Sequence, residues 1–383
     1  MTGARVLHLT TFLQGGAGRA IADLASTQRR LGHEVTVVAC ATGTAGYGNY
    51  AEYLDQLRDA GVTLRLCDSL FRRDLSLNLQ VLEMLRHHLD SNSVDLIHAH
   101  AAVPALVGRL FAGHASRRIP VVQTQHGWGT SKTPAQAAAD LAVLRDVDRV
   151  VVTSEATRDA LVGHGVPAWS MTVIPCGLQA RETGPPPTDA THLLKPLRDR
   201  GMRIVGCVGS VTENKNQQLL VEALSKMEHR DVVVVFIGEG GEALLPQAAA
   251  AGVGDRVIAC GYQPHAARWL PMLDLLVLPS RTEGQGLAVL EAFRARVPVV
   301  ASDIPALAQL VDDRRTGFLF QTDDAAALAS AISVALTLPA RDREAIVRGA
   351  RARFLEAFTI DRMVERHEEL YAQLASEALH VDQ

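Results

Sequence analysis

Short apolar runs alternate with segments of helical spacing along the whole chain. At its start, the apolar run Arg5 to Leu9 is followed by a glycine loop, a helically spaced segment from Ala20 to Leu31 and a second apolar run from Val35 to Ala39. Short continuous apolar runs are typical of strands that are buried on both faces, as in parallel sheets. The pattern therefore predicts a strand-helix-strand unit at the start of the chain.

The same alternation continues in two series that are separated by a proline-rich segment. The further predicted strands are Val62 to Leu66, Val94 to His100, Val121 to Trp128, Arg149 to Thr153, Arg203 to Val208, Val232 to Ile237, Arg256 to Cys260, Leu275 to Leu278, Val297 to Ala301 and Thr316 to Phe320. Two such series predict an α/β protein with two doubly wound, Rossmann-like parallel-sheet domains and an interdomain cleft.

The domain boundaries follow from where the alternation stops. Residues 180–200 lose the periodicity and contain Pro185-Pro186-Pro187, which indicates a linker. We predict a first domain at residues 1–178, a Pro-rich linker at 179–200 and a second domain at 201–355. A C-terminal helix at 356–383 is predicted to pack back on the first domain.

Composition and charge exclude several classes of protein. The chain has 383 residues, of which 48% are apolar and 4% aromatic, and its formal net charge is -4. Without a basic excess, a nucleic-acid partner is not expected. The five cysteines are odd in number and far apart, which predicts reduced core thiols and neither a disulfide framework nor a cysteine-based metal site. A two-domain solute-binding protein would need an export signal, and the apolar start is better explained by a first strand.

One strand-loop-helix segment carries the chemistry that suggests a ligand. The apolar run Leu275 to Leu278 leads into a loop with Gly284 and Gly286, and a predicted helix begins at Leu287. Free amide groups and the positive end of a helix dipole suit phosphate. The carboxylates of Glu283 and Glu291, on either side of this position, could accept hydrogen bonds from sugar hydroxyls, as a nucleotide-sugar requires. The alternative is a structural loop with two solvated glutamates.

The first glycine loop is a weaker candidate. Gly15 and Gly16 follow the first strand, but no third glycine completes a dinucleotide fingerprint and no acid ends the second strand. A nicotinamide or flavin site is therefore not expected. The glycines either let a ligand approach the backbone or allow tight packing.

Two other patterns invite a metal interpretation that we do not favour. His98 and His100 share one face of a predicted strand, but no third ligand at a sensible spacing is evident, so a structural or groove-lining role is preferred. Asp146-Val147-Asp148 precedes a strand, which indicates solvated acids at a helix end. His126 is a better candidate for function because it follows a strand at the carboxyl edge of its sheet.

These residues together resemble the retaining glycosyltransferases of family 4 (glycosyl transferases group 1), which have the two-domain GT-B architecture. The segments that carry the resemblance are Glu283 to Glu291 with the Glu-x7-Glu signature, Gly15-Gly16, Thr124 to Gly127, Val173 to Leu178, Glu213 to Asn216 and Ser302 to Phe320. The match covers nearly the whole chain. It departs from the family at Ser210, where many relatives carry a basic residue, so either Lys215 is the main cation or Arg281 contributes.

The resemblance implies a role for each residue of the site. The implied donor contacts are Glu291 with the ribose, Glu283 with the transferred sugar, Gly284, Gly286, Leu287, Ala288, Ser210 and Lys215 around the diphosphate, Tyr262 and Gln263 near the base, and Gly15 and Gly16 at the diphosphate from the other domain. His126 is expected over the sugar at the reaction centre, so Glu283, His126 and Lys215 are the predicted catalytic residues.

The expected activity is transfer of a sugar, with retention of configuration, from a UDP- or GDP-sugar to a sugar, glycan or glycolipid acceptor. We expect no metal and no cofactor beyond the nucleotide-sugar co-substrate. The alternatives are a nucleotide-sugar 2-epimerase of the same architecture and a non-catalytic sugar- or nucleotide-binding protein. We expect a cytoplasmic location, with Arg72, Arg73, Arg117 and Arg118 either solvated or in peripheral contact with the inner membrane face.

Overall fold

The structure is a computed structural model that describes residues 3–44, 46–68, 72–90, 93–128, 132–181 and 184–381. The chain divides into two compact units. Unit 1 holds residues 1–177 and 360–383, and unit 2 holds residues 178–359.

Unit 1 is built on a parallel sheet of seven strands among the described residues. Its strands are β1 (Arg5–Leu9), β2 (Glu34–Cys40), β3 (Thr63–Cys67), β4 (Leu96–Ala99), β5 (Val121–Gln125), β6 (Arg149–Val152) and β7 (Met171–Val173), in the order β3-β2-β1-β4-β5-β6-β7. The helices that connect them are α1 (Gly15–Arg30), α2 (Ala51–Asp59), α3 (Leu75–His88), α4 (Ala102–Ala112), α5 (Pro134–Asp146) and α6 (Glu155–Gly163).

Unit 2 repeats the plan with a parallel sheet of six described strands. These are β8 (Arg203–Val208), β9 (Val232–Ile237), β10 (Val257–Ala259), β11 (Leu275–Leu278), β12 (Val299–Ser302) and β13 (Phe318–Phe320), in the order β10-β9-β8-β11-β12-β13. Its helices are α7 (Thr188–Asp199), α8 (Gln218–Lys226), α9 (Leu245–Ala250), α10 (Leu287–Ala295), α11 (Pro305–Ala308), α12 (Ala325–Thr337) and α13 (Ala340–Ala357). The predicted fold class, two doubly wound α/β domains, is confirmed.

Alternate residues of the unit 2 strands enter different hydrophobic cores, which is why these strands read as continuous apolar runs. In β9, Val233 and Val235 belong to one cluster, whereas Val232 and Val234 belong to the other. Because successive side chains of a strand point to opposite faces, both faces of the sheet are covered. Among the described residues, no helix has both the length and the apolar character that crossing a membrane requires.

The predicted linker at residues 179–200 is wrong in one respect, since most of its second half is helix α7. Pro187 is the N-cap of this helix, and Ala190 and Leu194 are buried in the core of unit 2, with Leu193 and Leu197 packed against it. These four positions form an i, i+3, i+4, i+7 stripe, which is the signature of an amphipathic helix. The triple proline hid that stripe because prolines usually mark a break, whereas here they precede the first turn.

The last helix, α14 (Ile360–Val381), belongs to unit 1. It contacts α1, and its Tyr371 hydroxyl lies 2.6 Å from the Nδ1 atom of His98 on β4. The C-terminal segment therefore contributes polar side chains to the interior of the N-terminal sheet.

Candidate functional site

In unit 2 the chain leaves the middle of the sheet in two directions. Strands β9 and β10 follow β8 on one side, whereas β11, β12 and β13 run to the other, so the order reverses between β8 and β11. Ligands of open parallel sheets bind beyond the carboxyl ends of the strands at such a reversal. Ser210 follows β8 at this position, and the loop from Ser280 to Gly286 follows β11.

A charged cluster occupies this position. The Nζ atom of Lys215 lies 2.5 Å from Oε1 of Glu283, and the hydroxyl of Ser280 donates to the same oxygen at 2.8 Å. The Glu283 side chain is 9% exposed and the Lys215 side chain 31%, so the cation is the member that solvent and ligands can reach. Charge-assisted hydrogen bonds of this kind are shorter and stronger than those between neutral groups.

The N-terminus of α10 lies at the end of the same loop. Its N-cap is Gly286, with φ at 89° and no side-chain cap. A Cβ atom on Gly286 would lie 2.5 Å from Cδ2 of Leu307, so both the backbone angle and the packing require glycine. The amide of Val289 donates to the carbonyl of Gly286, whereas those of Leu287 and Ala288 precede the first helical hydrogen bond and have no acceptor within the helix. This end of the helix suits an anion.

The remaining predicted donor residues of unit 2 lie at the same edge of the sheet. Glu291 is the fifth residue of α10 and is half-buried, and Gly284 is half-buried in the β11 loop. Tyr262, which is 37% exposed, and Gln263 follow β10, and the Gln263 amide donates to the carbonyl of Cys260 at 2.8 Å. The carbonyl of Ser210 accepts from Gln217 at 3.0 Å.

Arg281 is engaged elsewhere. Its Nε donates to Asp323 at 2.8 Å, and its Nη1 donates to the backbone carbonyl of Glu213 at 3.0 Å. Its amide donates to the carbonyl of Asn214 at 2.7 Å. Arg281 therefore fastens the segment that carries Lys215, and it is Lys215 that lies against Glu283.

In unit 1 the order reverses between β1 and β4, and the glycine loop follows β1. Gly15 and Gly16 are the first residues of α1, and Gly15 has φ at 56° with open space around its Cβ position. At Gly18 a Cβ would lie 2.4 Å from the carbonyl carbon of Leu13. Tight packing therefore explains Gly18, whereas packing places no demand on Gly15.

Histidines occupy the corresponding position of the unit 1 sheet. His126 follows β5, and its Nε2 lies 3.3 Å from Nδ1 of His100, whose Nε2 lies 3.1 Å from Nδ1 of His8. His98 lies 2.6 Å from the hydroxyls of both Thr124 and Tyr371. His8 and His98 are partners in the pairing of β1 with β4.

This arrangement corrects one premise of the sequence analysis. His8 is a third imidazole beside His98 and His100, and one ring nitrogen of each lies within 4.8 Å of the others. His8 was missed because its strand neighbours are apolar. It also lies too far from His98 and His100 along the chain to form a recognisable metal-binding motif. All six ring nitrogens are hydrogen-bonded, to Gln28, Thr124, Tyr371, His126 and one another, so the described geometry is that of a hydrogen-bond network.

Burial keeps these imidazoles neutral. It lowers the pKa of His8 and of His126 from 6.5 to about 4. For His8, the hydrogen bond to Gln28 acts in the opposite direction but is the smaller effect. Burial also lowers the pKa of His98 and His100 well below 6.5, and it raises the pKa of the Tyr371 hydroxyl. A neutral imidazole carries one N–H donor and one lone pair, so the direction of each hydrogen bond matters.

The two acids of Asp146-Val147-Asp148 take part in ion pairs at the other edge of the sheet. Arg109 pairs with Asp146 at 3.0 Å, and Arg118 pairs with Asp148 at 2.6 Å. Asp148 also accepts the amide of Val121, and its side chain is only 9% exposed, so the prediction that both acids are solvated is wrong for Asp148.

Two family models match the chain, one in each half. The model described as Glycosyltransferase Family 4 matches residues 14–181, and the model described as Glycosyl transferases group 1 matches residues 202–337. The chain belongs to the family 4, group 1 glycosyltransferases. The resemblance read from the sequence is thereby confirmed.

Curated relatives of this family 4 chain include mannosyltransferases. The chain is 32% identical over 225 residues to the lipopolysaccharide core biosynthesis mannosyltransferase LpcC of Rhizobium leguminosarum bv. viciae, covering 55% of this chain and 62% of that one. It is 28% identical to a GDP-mannose-dependent α-(1-6)-phosphatidylinositol monomannoside mannosyltransferase of Mycolicibacterium smegmatis, covering 68% of this chain and 72% of that one. The alignment thus spans about three fifths of the first relative.

Solved structures share the GT-B fold of this glycosyltransferase family member. The structure of the Anabaena protein HepE in complex with UDP-glucose superposes with a TM-score of 0.80 at 20% identity, covering 96% of this chain and 99% of that one. WaaG, a glycosyltransferase involved in lipopolysaccharide biosynthesis, superposes with a TM-score of 0.71 at 16% identity, covering 96% and 99%.

Sequence reasoning missed several residues around the family 4 site. Ser280, His8, Gln28 and Glu368 emerged only from the structure, and among these only Ser280 lies in a segment that the motif singled out.

Proposed function

We propose that this protein is a retaining glycosyltransferase that moves a sugar from a nucleotide-diphosphate sugar to a hydroxyl of a glycan, glycolipid or polysaccharide acceptor. The observation that carries the proposal is the contact of Lys215 and Ser280 with Glu283 beside the uncapped N-terminus of α10. A cation, a carboxylate and free helix amides at a sheet reversal match the diphosphate and the sugar of such a donor.

The donor roles in unit 2 follow from this arrangement. The diphosphate is bound by the amides of Leu287 and Ala288 and by the Nζ atom of Lys215. Its negative charge competes with Glu283 for Lys215. Each such charge-assisted contact contributes about 1.5–3 kcal/mol. Glu283 accepts from hydroxyls of the transferred sugar, and Glu291 accepts from the ribose.

Other residues complete the proposed contacts. The main chain at Tyr262 and Gln263 faces the base, and Ser210, Gly284 and Gly286 line the diphosphate. In unit 1, Gly15 and Gly16 contribute amides to the diphosphate and His126 contacts the transferred sugar.

The reaction we propose is attack by the acceptor hydroxyl on the same face of the sugar as the leaving diphosphate. As the bond from C1 to oxygen lengthens, negative charge collects on the diphosphate, and the helix amides and Lys215 stabilise that charge more strongly in the transition state than in the ground state. A phosphate oxygen accepts the proton of the attacking hydroxyl, so configuration is retained. We propose that these groups make a divalent metal unnecessary.

UDP-sugars and GDP-sugars are the donors to test first. The named activity of the Mycolicibacterium relative depends on GDP-mannose, and the HepE structure holds UDP-glucose. The family models and these relatives favour transfer over the 2-epimerase alternative.

The experiment begins with thermal unfolding of the full chain in the presence of UDP-glucose, GDP-mannose, other nucleotide-sugars and the bare nucleotides. A true donor raises the unfolding temperature, because it binds only the folded protein. With that donor, Glu283→Ala should reduce transfer about 10²–10³-fold, as loss of one transition-state contact does.

The matched control is Glu228→Ala, which removes an exposed carboxylate of the same unit. It should leave both donor binding and transfer unchanged, and circular dichroism should show that both variants are folded. Undiminished transfer by Glu283→Ala would refute the proposed site, and transfer abolished by chelators and restored by a divalent ion would refute metal independence.

A further inference from the structure

A continuous chain of hydrogen bonds connects His126 with the last helix. Within unit 1, Nε2 of His126 lies 3.3 Å from Nδ1 of His100, and Nε2 of His100 lies 3.1 Å from Nδ1 of His8. Nε2 of His8 lies 2.9 Å from Oε1 of Gln28, and the Gln28 amide nitrogen lies 3.2 Å from Oε1 of Glu368 on α14. His8 and Gln28 are fully buried, so water does not interrupt the chain at its centre.

The carboxylate at the end fixes the direction of every bond. An ionised Glu368 can only accept, so it selects the Gln28 amide nitrogen and leaves Oε1 of Gln28 to face His8. His8 must then donate from Nε2 and accept at Nδ1. By the same logic His100 donates from Nε2 to His8, and His126 donates from Nε2 to His100.

Two side contacts hold this orientation. Glu368 is fixed from its other side by His33, whose Nε2 lies 3.0 Å from Oε2. A hydrogen bond between the side chains of Gln28 and Tyr371 opposes the rise that burial causes in the Tyr371 pKa. The Tyr371 hydroxyl lies 2.6 Å from Nδ1 of His98, and the Thr124 hydroxyl lies 2.6 Å from Nε2 of the same ring.

The network orients protons and does not conduct them. A proton received by His126 could pass through His100 and His8, but the next group is the amide oxygen of Gln28, which does not take up a proton at neutral pH. The chain therefore ends as a proton path at Gln28. The network can therefore act only by determining which ring nitrogen of His126 carries the hydrogen.

We propose that Glu368 and Gln28 are positioning residues that hold His126 in the Nε2-protonated tautomer, so that its Nδ1 lone pair accepts a hydrogen bond from a hydroxyl of the bound sugar. Within the described part of the chain, Nε2 carries the hydrogen bond to His100. The tautomer itself follows from unit 1 alone, whereas its use on a sugar hydroxyl rests on the proposed glycosyl transfer.

The tautomer can be measured in the free protein. Long-range proton-nitrogen correlation spectra of the full chain, labelled with ¹⁵N-histidine and assigned with His126→Asn, should show His126 protonated at Nε2 at pH 7. In Glu368→Gln, a His33 that stays protonated at Nε2, which the same spectra report, donates to the oxygen of the new amide, so that its nitrogen donates to Gln28. Gln28 then reverses and donates to His8, and the whole chain inverts so that His126 carries its hydrogen on Nδ1.

Two further variants test the argument. Glu365→Gln is the matched control, because Glu365 is an exposed carboxylate of the same helix that pairs with Arg362, and it should leave the His126 tautomer unchanged. Gln28→Met removes the oxygen that selects the tautomer of His8, so both tautomers of His126 should be populated. It also serves if Glu368→Gln fails to fold.

Transfer assays separate this inference from the proposed function. Glu368→Gln should lower kcat about tenfold, the loss expected for one substrate hydrogen bond, with little change in the donor KM, and Glu365→Gln should not change kcat. His126 protonated at Nδ1 in the wild type, an unchanged His126 tautomer in Glu368→Gln with His33 protonated at Nε2, or a single His126 tautomer in Gln28→Met would overturn the inference. Inversion of the tautomer with full activity would uphold the network and refute the proposed role of His126 on the sugar.

Discussion

The two sheets reverse their strand order at equivalent points, but they place different chemistry there. In unit 1 the point between β1 and β4 holds His8 and His98, which are neutral and form hydrogen bonds to other polar side chains. In unit 2 the point between β8 and β11 is followed by an ion pair between Lys215 and Glu283. One topology thus supports a neutral polar network in one unit and a charged cluster in the other.

Burial explains the difference. His8 and His98 lie on the strands themselves and are fully buried, where the charged form of a histidine is costly. Lys215 lies in a loop beyond its strand, keeps 31% of its side chain exposed and has a carboxylate partner. A ligand phosphate can compete with Glu283 for such a lysine. The buried imidazole network, in contrast, can only determine which ring nitrogen of each histidine carries the hydrogen.

The largest expected difference between the units is their response to acid. In unit 1, burial lowers the pKa of His8 on β1 and of His367 on α14 to about 4 in the folded chain, from 6.5. Between pH 4 and pH 6.5 the unfolded chain binds more protons than the folded chain. The contribution of these histidines to the free energy of unfolding therefore has its full value above pH 6.5 and decreases as the pH falls toward 4. Each group contributes about 1.4 kcal/mol per pH unit.

Unit 2 provides the internal control for this prediction. Arg203 lowers the pKa of Asp231 there, so the stability from that carboxylate is present above pH 3.8 and is lost only at lower pH. Hydrogen exchange, corrected for intrinsic rates, should show that β1 and β4 lose protection between pH 7 and pH 5 before β8 and β11. Equal loss in both units would contradict neutral burial of the histidines.

Removing His8 from the hydrogen-bond network should lower the free energy of unfolding nearly as much as acid does. In His8→Leu, the Nε2 hydrogen of His100 and the Oε1 atom of Gln28 lose their partner inside the sheet. Each buried group left without a partner costs about 1–3 kcal/mol, so the free energy of unfolding should fall by about 2–6 kcal/mol. Urea unfolding measures it, and a loss under 1 kcal/mol would mean that water or a rearranged side chain replaces His8.

In the charged cluster, Lys215→Ala should affect function more than folding. Loss of its contact with a diphosphate, about 1.5–3 kcal/mol, predicts a decrease in kcat/KM of about 10- to 150-fold. Lys195→Ala, which removes an exposed lysine paired with Asp199, is the control. If both variants transferred sugar at the wild-type rate, Lys215 would have no role in donor binding.

Arg281→Ala should have the smallest effect. Arg281 is bound to Asp323 and to the carbonyl of Glu213, and its pair with Asp323 is exposed. Exposed pairs contribute at most about 1 kcal/mol, so kcat/KM should fall by less than about fivefold. A loss as large as that in Lys215→Ala would show that Arg281 leaves Asp323 and binds the donor.

Local patterns predicted the elements whose signals lie within a few residues. The apolar run of β11, the glycines of its loop and the helix at Leu287 were all predicted in the right order, and Gly286 has the positive φ that such a loop requires. Helix α7 was missed because Pro185 to Pro187 outweighed an apolar stripe that begins only at Ala190. Competing local signals thus produced the clearest error.

The sequence by itself determined two parallel-sheet domains and a motif for phosphate and sugar, because apolar periodicity and glycine spacing act over short stretches of chain. Only the tertiary structure brought together His8, Gln28 and Glu368, of which Gln28 and Glu368 alone are separated by 340 residues along the chain. Strand pairing and the packing of the last helix created that network. No local pattern encodes which buried polar groups will find one another, since each looks in isolation like a polar residue in an ordinary strand or helix.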